Sequence, residues 1–124
     1  MSAFTKRILP YVEQELTAAR ECTRRGDAKA AFAHLERAHV LGQRSTQIHT
    51  RVHGLMFLWG LEQKSFPECL GQALRIIGAA TKTVFGLVPT GNTGGNNVSP
   101  FKVMPIPPDL EAILRATKEK APRN

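Results

Sequence analysis

The 124-residue chain has only two cysteines, Cys22 and Cys69, which fall on different predicted helices without CxxC spacing. That argues against a disulfide framework and suits reduced thiols in a reducing compartment. Long apolar runs are lacking too. The longest, from Gly54 to Leu61, ends at Glu62, far short of the roughly 20 residues a membrane-spanning helix needs. The opening stretch MSAFTKRILPYVEQEL carries Lys6 and Arg7, then Glu13 and Glu15. It therefore has no apolar core of signal-peptide length, and a cytoplasmic protein is expected. Lys plus Arg number 17 against 10 Asp plus Glu, a formal charge of +7, yet no run of five or more basic residues occurs. Dispersed charge of this kind decorates a solvated surface and argues against a nucleic-acid footprint. Ser-His-Asp arrangements, a Rossmann fingerprint and a Walker ending are all missing, so no catalytic nucleophile stands out and an enzymatic role is disfavoured.

What is present reads as one helical domain spanning residues 1–124. Hydrophobic residues make up 42% and charged residues 22%, the balance of a globular protein. Ile8, Val12, Leu16 and Ala19 recur at helical spacing within a first helix of about 5–25, which Gly26 terminates. Pro10 requires that this helix begin shortly before it or bend there. Asp27 can cap a second helix of about 28–41, with Ala31, Phe32, Leu35 and Ala38 on its apolar face. A third, about 46–63, places Ile48, Val52, Leu55, Met56 and Trp59 together. Ser65-Phe66-Pro67-Glu68 is a helix-start signature, and the fourth helix, about 66–85, keeps Leu70, Ala73, Leu74, Ile77 and Val84 in period. Asp109 caps a short C-terminal helix of about 109–120. The pattern predicts an all-α, up-and-down bundle of four main helices plus that short one.

Between them, residues 86–108 are rich in Gly, Asn and Pro and show no period. A loop of this length in a small domain is usually functional or disordered. Val98, Phe101, Val103, Met104 and Ile106 supply regularly spaced apolar groups, so an ordered segment is expected, anchored by Phe101 and Met104. Residues 91–97 would form an exposed tip with positive torsions at its glycines.

The four histidines, His34, His39, His49 and His53, fall within one predicted hairpin. Imidazole is the commonest metal ligand. Glu36 and His39 lie about 60° apart around helix two, and His49 and His53 about 40° apart around helix three, so each pair shares a face. With the hairpin turning near residue 44, His39 comes level with His49, and Glu36 approaches His53. The same counting brings Glu15 to the level of Glu36 and Arg37, where a buried carboxylate needs a partner. Glu36-x-x-His39 is the step by which ferritin-like bundles aim two ligands at one metal. One such step with one H-x-x-x-H pair points to a single ion held by Glu36, His39, His49 and His53, with Glu15 as a further ligand. Such donors accept a divalent transition metal, whether Zn, Cu, Ni or Fe. His34, about 140° from His39 around the helix, stands outside this set. The competing reading makes the histidines core-edge residues that hydrogen-bond Glu15, Glu36 and backbone carbonyls.

HLERAHVLGQ at 34–43, the pair at 49 and 53, and PTGNTGGNNVSPFKVMPIPPDL at 89–110 together resemble an uncharacterised bacterial family, domain of unknown function 3703. The resemblance covers nearly the whole chain. It implies a small cytosolic helical protein, often encoded near heavy-metal resistance genes, whose motif histidines correspond to His34, His39, His49 and His53. The resulting expectation is a metal-binding buffer, sensor or accessory protein, with a protein partner or homo-oligomer also open. A metal-free helical interaction module and a metal-dependent enzyme are the alternatives.

Overall fold

Ser2 starts the first helix two residues earlier than the apolar period implies, because its hydroxyl accepts the Thr5 N–H at 3.1 Å. In the computed structural model, which describes residues 1–84, 90–99 and 102–119 without the side chains of 79–84 and 119, α1 covers Ala3–Arg24. Pro10 lies inside it. Its ring is on the exposed side of the helix, where water can reach the carbonyl group that proline leaves without its usual N–H partner. Gly26, at φ +79°, ends the helix. The Asp27 carboxylate accepts the Ala30 N–H at 3.1 Å and opens α2 (Ala28–Gly42). Ser45 accepts the Ile48 N–H at 3.4 Å and opens α3 (Thr46–Glu62). Two further helices, α4 (Phe66–Val84) and α5 (Pro108–Glu119), complete the described elements, among which there is no strand.

The architecture is an all-α bundle in which consecutive helices pair, α1 with α2, α2 with α3 and α3 with α4, while α5 returns against α1 and α2. The predicted stripes of the first three helices meet in one core. Ile8, Val12, Leu16, Ala38, Val52 and Met56 are fully buried there, and Leu110 joins them from α5. Tight turning between α2 and α3 depends on Gly42, where a Cβ would stand 2.1 Å from the Ile48 side chain. Trp59 ties α3 to the start of α2, its indole N–H donating to the Ala28 carbonyl at 2.8 Å.

Two expectations are overturned outside this core. The apolar positions of α4, Leu70, Leu74 and Ile77, do not pack inward but lie exposed, and the helix instead turns Gln72 into the interior. The Gly/Asn tip is exposed only at Asn96 and Asn97. Gly91, Asn92, Gly94 and Gly95 are buried, and the loop lies against α4 where Gly71 leaves room for the Asn96 side chain. The positive torsions are found as expected, at Gly91 (+77°) and Gly94 (+83°). Here they let the backbone approach other segments closely, Gly91 the Met104 carbonyl and Gly94 the His39 ring of α2. Met104 is half-buried and its N–H donates to the Thr90 carbonyl at 3.0 Å. Phe101, the other expected anchor, and residues 86–89 and 100 lie outside the described residues.

Candidate metal centre

His39 stands in the last turn of α2 and His49 in the first turn of α3, with His53 one turn further on. Ser45 and Gly42 set the angle between the helices, and the i, i+4 spacing of α3 aims both of its imidazoles at the third. The three Nε2 atoms form a near-equilateral triangle: His39 to His49 is 2.9 Å, His39 to His53 is 3.1 Å and His49 to His53 is 3.1 Å. All three side chains are buried, at 3 to 5% exposure. Among the described residues this trio is the group of side chains whose ligand atoms converge closely enough to hold a metal ion.

The outer nitrogens determine what the inner ones present. Nδ1 of His39 lies 2.7 Å from the Asn92 carbonyl oxygen, which can only accept, so that nitrogen carries the proton. Nδ1 of His53 lies 2.6 Å from the Gln72 side-chain oxygen. The orientation of that amide is itself determined, because its nitrogen donates to the Glu68 carboxylate at 2.7 Å and to the Gly94 carbonyl at 2.9 Å. His53 therefore donates from Nδ1 as well. In the neutral state, Nε2 of His39 and of His53 each turn a lone pair toward the centre of the triangle. Burial first, and then the neighbouring His53 and His49, hold the pKa of His39 well below the usual 6.5, so its imidazole is neutral at neutral pH. Lone pairs facing one another at about 3 Å repel, and a cation between them removes the repulsion.

The loop brings its own support. The Asn92 side-chain nitrogen donates to the carbonyls of Ser99 and Lys102, both at 2.8 Å, and its oxygen accepts the Gly94 N–H at 2.9 Å. Gly94 lies so close over His39 that a Cβ would stand 2.5 Å from its Cδ2 and 2.8 Å from its Nε2.

The carboxylates expected in the site take other positions. Glu15 accepts from His34 Nδ1 at 2.7 Å and from Arg37 Nε at 2.8 Å, and Arg37 extends the chain of contacts to Asp109. It is thus engaged with His34, the histidine read as pointing away. Glu36, one turn before His39, hydrogen-bonds the Thr93 side chain and is not a member of the converging group. Burial, and then the nearby Glu68 charge, raise its pKa, while the Thr93 bond works the other way. Gln72, Asn92 and Gly94 escaped the reading of the sequence. Gln72 did leave a trace, as the one amide side chain among the small and apolar positions of α4.

Compared with known proteins, the sequence matches over residues 6–114 the family described as “Protein of unknown function (DUF3703)”. The match spans all four histidines as well as Gln72, Asn92 and Gly94. No curated protein and no solved structure matches the chain.

Proposed function

The chain belongs to the DUF3703 family, and we propose that it is a metal-binding protein that holds one divalent transition-metal ion on His39, His49 and His53, as a buffer, sensor or accessory protein. The observation that carries this reading is the convergence of three buried Nε2 atoms within 3.1 Å of one another, two of them with their protons held on the far side of the ring. Metal-bound histidines are commonly oriented in this way by an acceptor on the other nitrogen. The Gln72 amide also links His53 to the Glu68 carboxylate, which places negative charge two hydrogen bonds from the ion.

Three imidazoles without a thiolate suit Zn(II), Cu(II), Ni(II) or Fe(II), and not Ca or Mg, which take oxygen ligands. His39, His49 and His53 would hold such an ion through their Nε2 atoms, with Glu36, through a change of rotamer, or a water as a further donor. The burial of the trio under the loop favours retention of an ion over turnover of a substrate.

Calorimetric titration of untagged, metal-free protein with Zn(II) tests the reading. One ion per chain is expected. His49→Ala and His53→Ala should each weaken binding by about a hundredfold or more, and His34→Ala by less than about threefold. A chain that takes up no ion at saturating supply, or a His39→Ala/His49→Ala/His53→Ala variant that binds as the parent does, would make the trio a hydrogen-bonded structural cluster.

A further inference from the structure

Helix α4 is amphipathic in the reverse sense. It directs Glu68 to the Asn96 N–H, Gln72 to His53 and Gly94, and Arg75 to the Val98 carbonyl, all toward the body of the protein. Phe66, Leu70, Leu74 and Ile77 are 80, 65, 63 and 72% exposed. Their spacing of four, four and three residues places them in a single stripe along one side of the helix. A helix on a lone soluble chain ordinarily buries such a stripe. The substantial packing of α4 against other described helices is with α3 alone, and from Phe66 to Ile77 these four apolar side chains lie exposed.

We propose that this stripe is a self-association surface, on which α4 of a second copy packs antiparallel about a two-fold axis level with residue 72. The register is self-complementary. With the axis at that level, Leu70 meets Leu74 of the second copy and the converse, and Ile77 comes level with the Phe66-Pro67 step at the other helix's start. That is the pairing of seam positions in an antiparallel two-helix contact, and two-fold dimers are the commonest closed assembly. No charged residue interrupts the stripe from Phe66 to Ile77, since Glu68 and Arg75 point the other way, so the net charge of +7 is not brought into the contact. A lipid surface fits less well, because interfacial helices carry Lys and Arg on the polar face that borders the apolar one, whereas the polar face of α4 is turned into the protein. Four large side chains exposed to this degree offer roughly 400–500 Å² per copy, below the ~800 Å² of a standard interface. The dimer therefore belongs to the weak, concentration-dependent class.

Sedimentation velocity of the full, untagged chain tests this over about 5 to 500 µM, the range in which a micromolar dimer dissociates. The expected result is a mass that rises from one chain to two across that range. Leu70→Glu with Leu74→Glu, whose fold is checked by circular dichroism, should weaken association by about a hundredfold. Leu58→Glu, an exposed position on α3 beside α1 and α2, should associate as the parent does. A parent chain that stays monomeric at the top of the range overturns the proposal. So does a dimer that the double substitution leaves intact, or one that Leu58→Glu disrupts equally. Co-sedimentation of a monomer with phosphatidylcholine vesicles, lost in the double variant, would assign the face to lipid and overturn it as well.

Discussion

Helices α1 to α3 meet through apolar side chains, with Ile8, Val12, Leu16, Val52 and Met56 between them. The contact between α4 and the 90–99 loop is made instead by Glu68, Gln72 and Arg75, each reaching a backbone group. The first region supplies the three imidazoles and the second supplies the groups that orient two of them. Each buried large side chain of the first contributes about 1.5–3 kcal/mol, whereas each hydrogen bond of the second contributes about 0.5–1.5 kcal/mol net, more where Glu68 or Arg75 takes part. The lesson of the difference is a division of labour: the three imidazoles sit on the part that is costly to disturb, and their cover sits on the part held by the weaker contacts.

The largest effect should come from breaking the apolar side. Leu16→Ala, at a fully buried position, is expected to lower global stability by about 3 kcal/mol in urea unfolding. The zinc affinity of the folded fraction should stay within about threefold, since distant sites act independently. A large affinity loss here would show that the two regions are not separable.

Gly94→Ala attacks the cover. The added Cβ combines a φ of +83° with contacts of 2.5 to 2.8 Å to the His39 ring, so it should displace the loop at a cost of about 2–3 kcal/mol. We expect zinc binding, followed by competition with a chromophoric chelator, to weaken by about thirty- to a hundredfold, while the urea midpoint of the metal-free protein moves no further than in Leu16→Ala. Equal affinity in the variant would mean that the loop does not lie over the ion.

Gln72→Leu keeps the volume of the side chain but removes the acceptor for His53. A loss of about tenfold in zinc affinity is expected, with the binding stoichiometry unchanged. Unaltered affinity would show that the orientation of His53 is set from elsewhere.

The smallest effect is one of pH on the metal-free protein. Above about 6.5 His39 is neutral in both folded and unfolded chains. Below it the unfolded chain takes up a proton that the folded chain, with His39 held well below the usual 6.5, does not. The unfolded state then binds more protons, so stability falls as pH is lowered from 7 toward 5. Urea unfolding should show this slope in the parent and a shallower one in His39→Gln. Identical slopes would contradict the assignment.

The α1–α3 region was largely legible in the sequence, because its burial follows the 3.6-residue period and its caps are local: Asp27 and Ser45 serve residues three positions away. The same counting brought His39, His49 and His53 together across a short turn. It could not tell which side of α4 faces inward, since the apolar period is equally visible when it points to solvent, and the contacts of Glu68, Gln72 and Arg75 decide the matter. It brought Glu15 to the level of Arg37, as found, but could not show that His34 and Arg37 together engage its oxygens in competition with any metal. Asn92 touches His39 from 53 residues away through its backbone carbonyl, a contact that no side-chain pattern records.

The lone tryptophan of the chain has a bearing on all of this. Its ring lies 4.5 Å from that of Phe32 at an angle of 46°, and Gly95 of the loop comes so near to Phe32 that a Cβ there would be 3.3 Å from its Cε1. The indole is thus one ring removed from the cover of the histidine trio. With a single emitter, the fluorescence of the unmodified protein is free of overlapping tryptophan signals, and a loop that lifts from Phe32 changes the ring packed against that emitter. Trp59 emission is therefore the signal in which any lifting of the loop is expected to register.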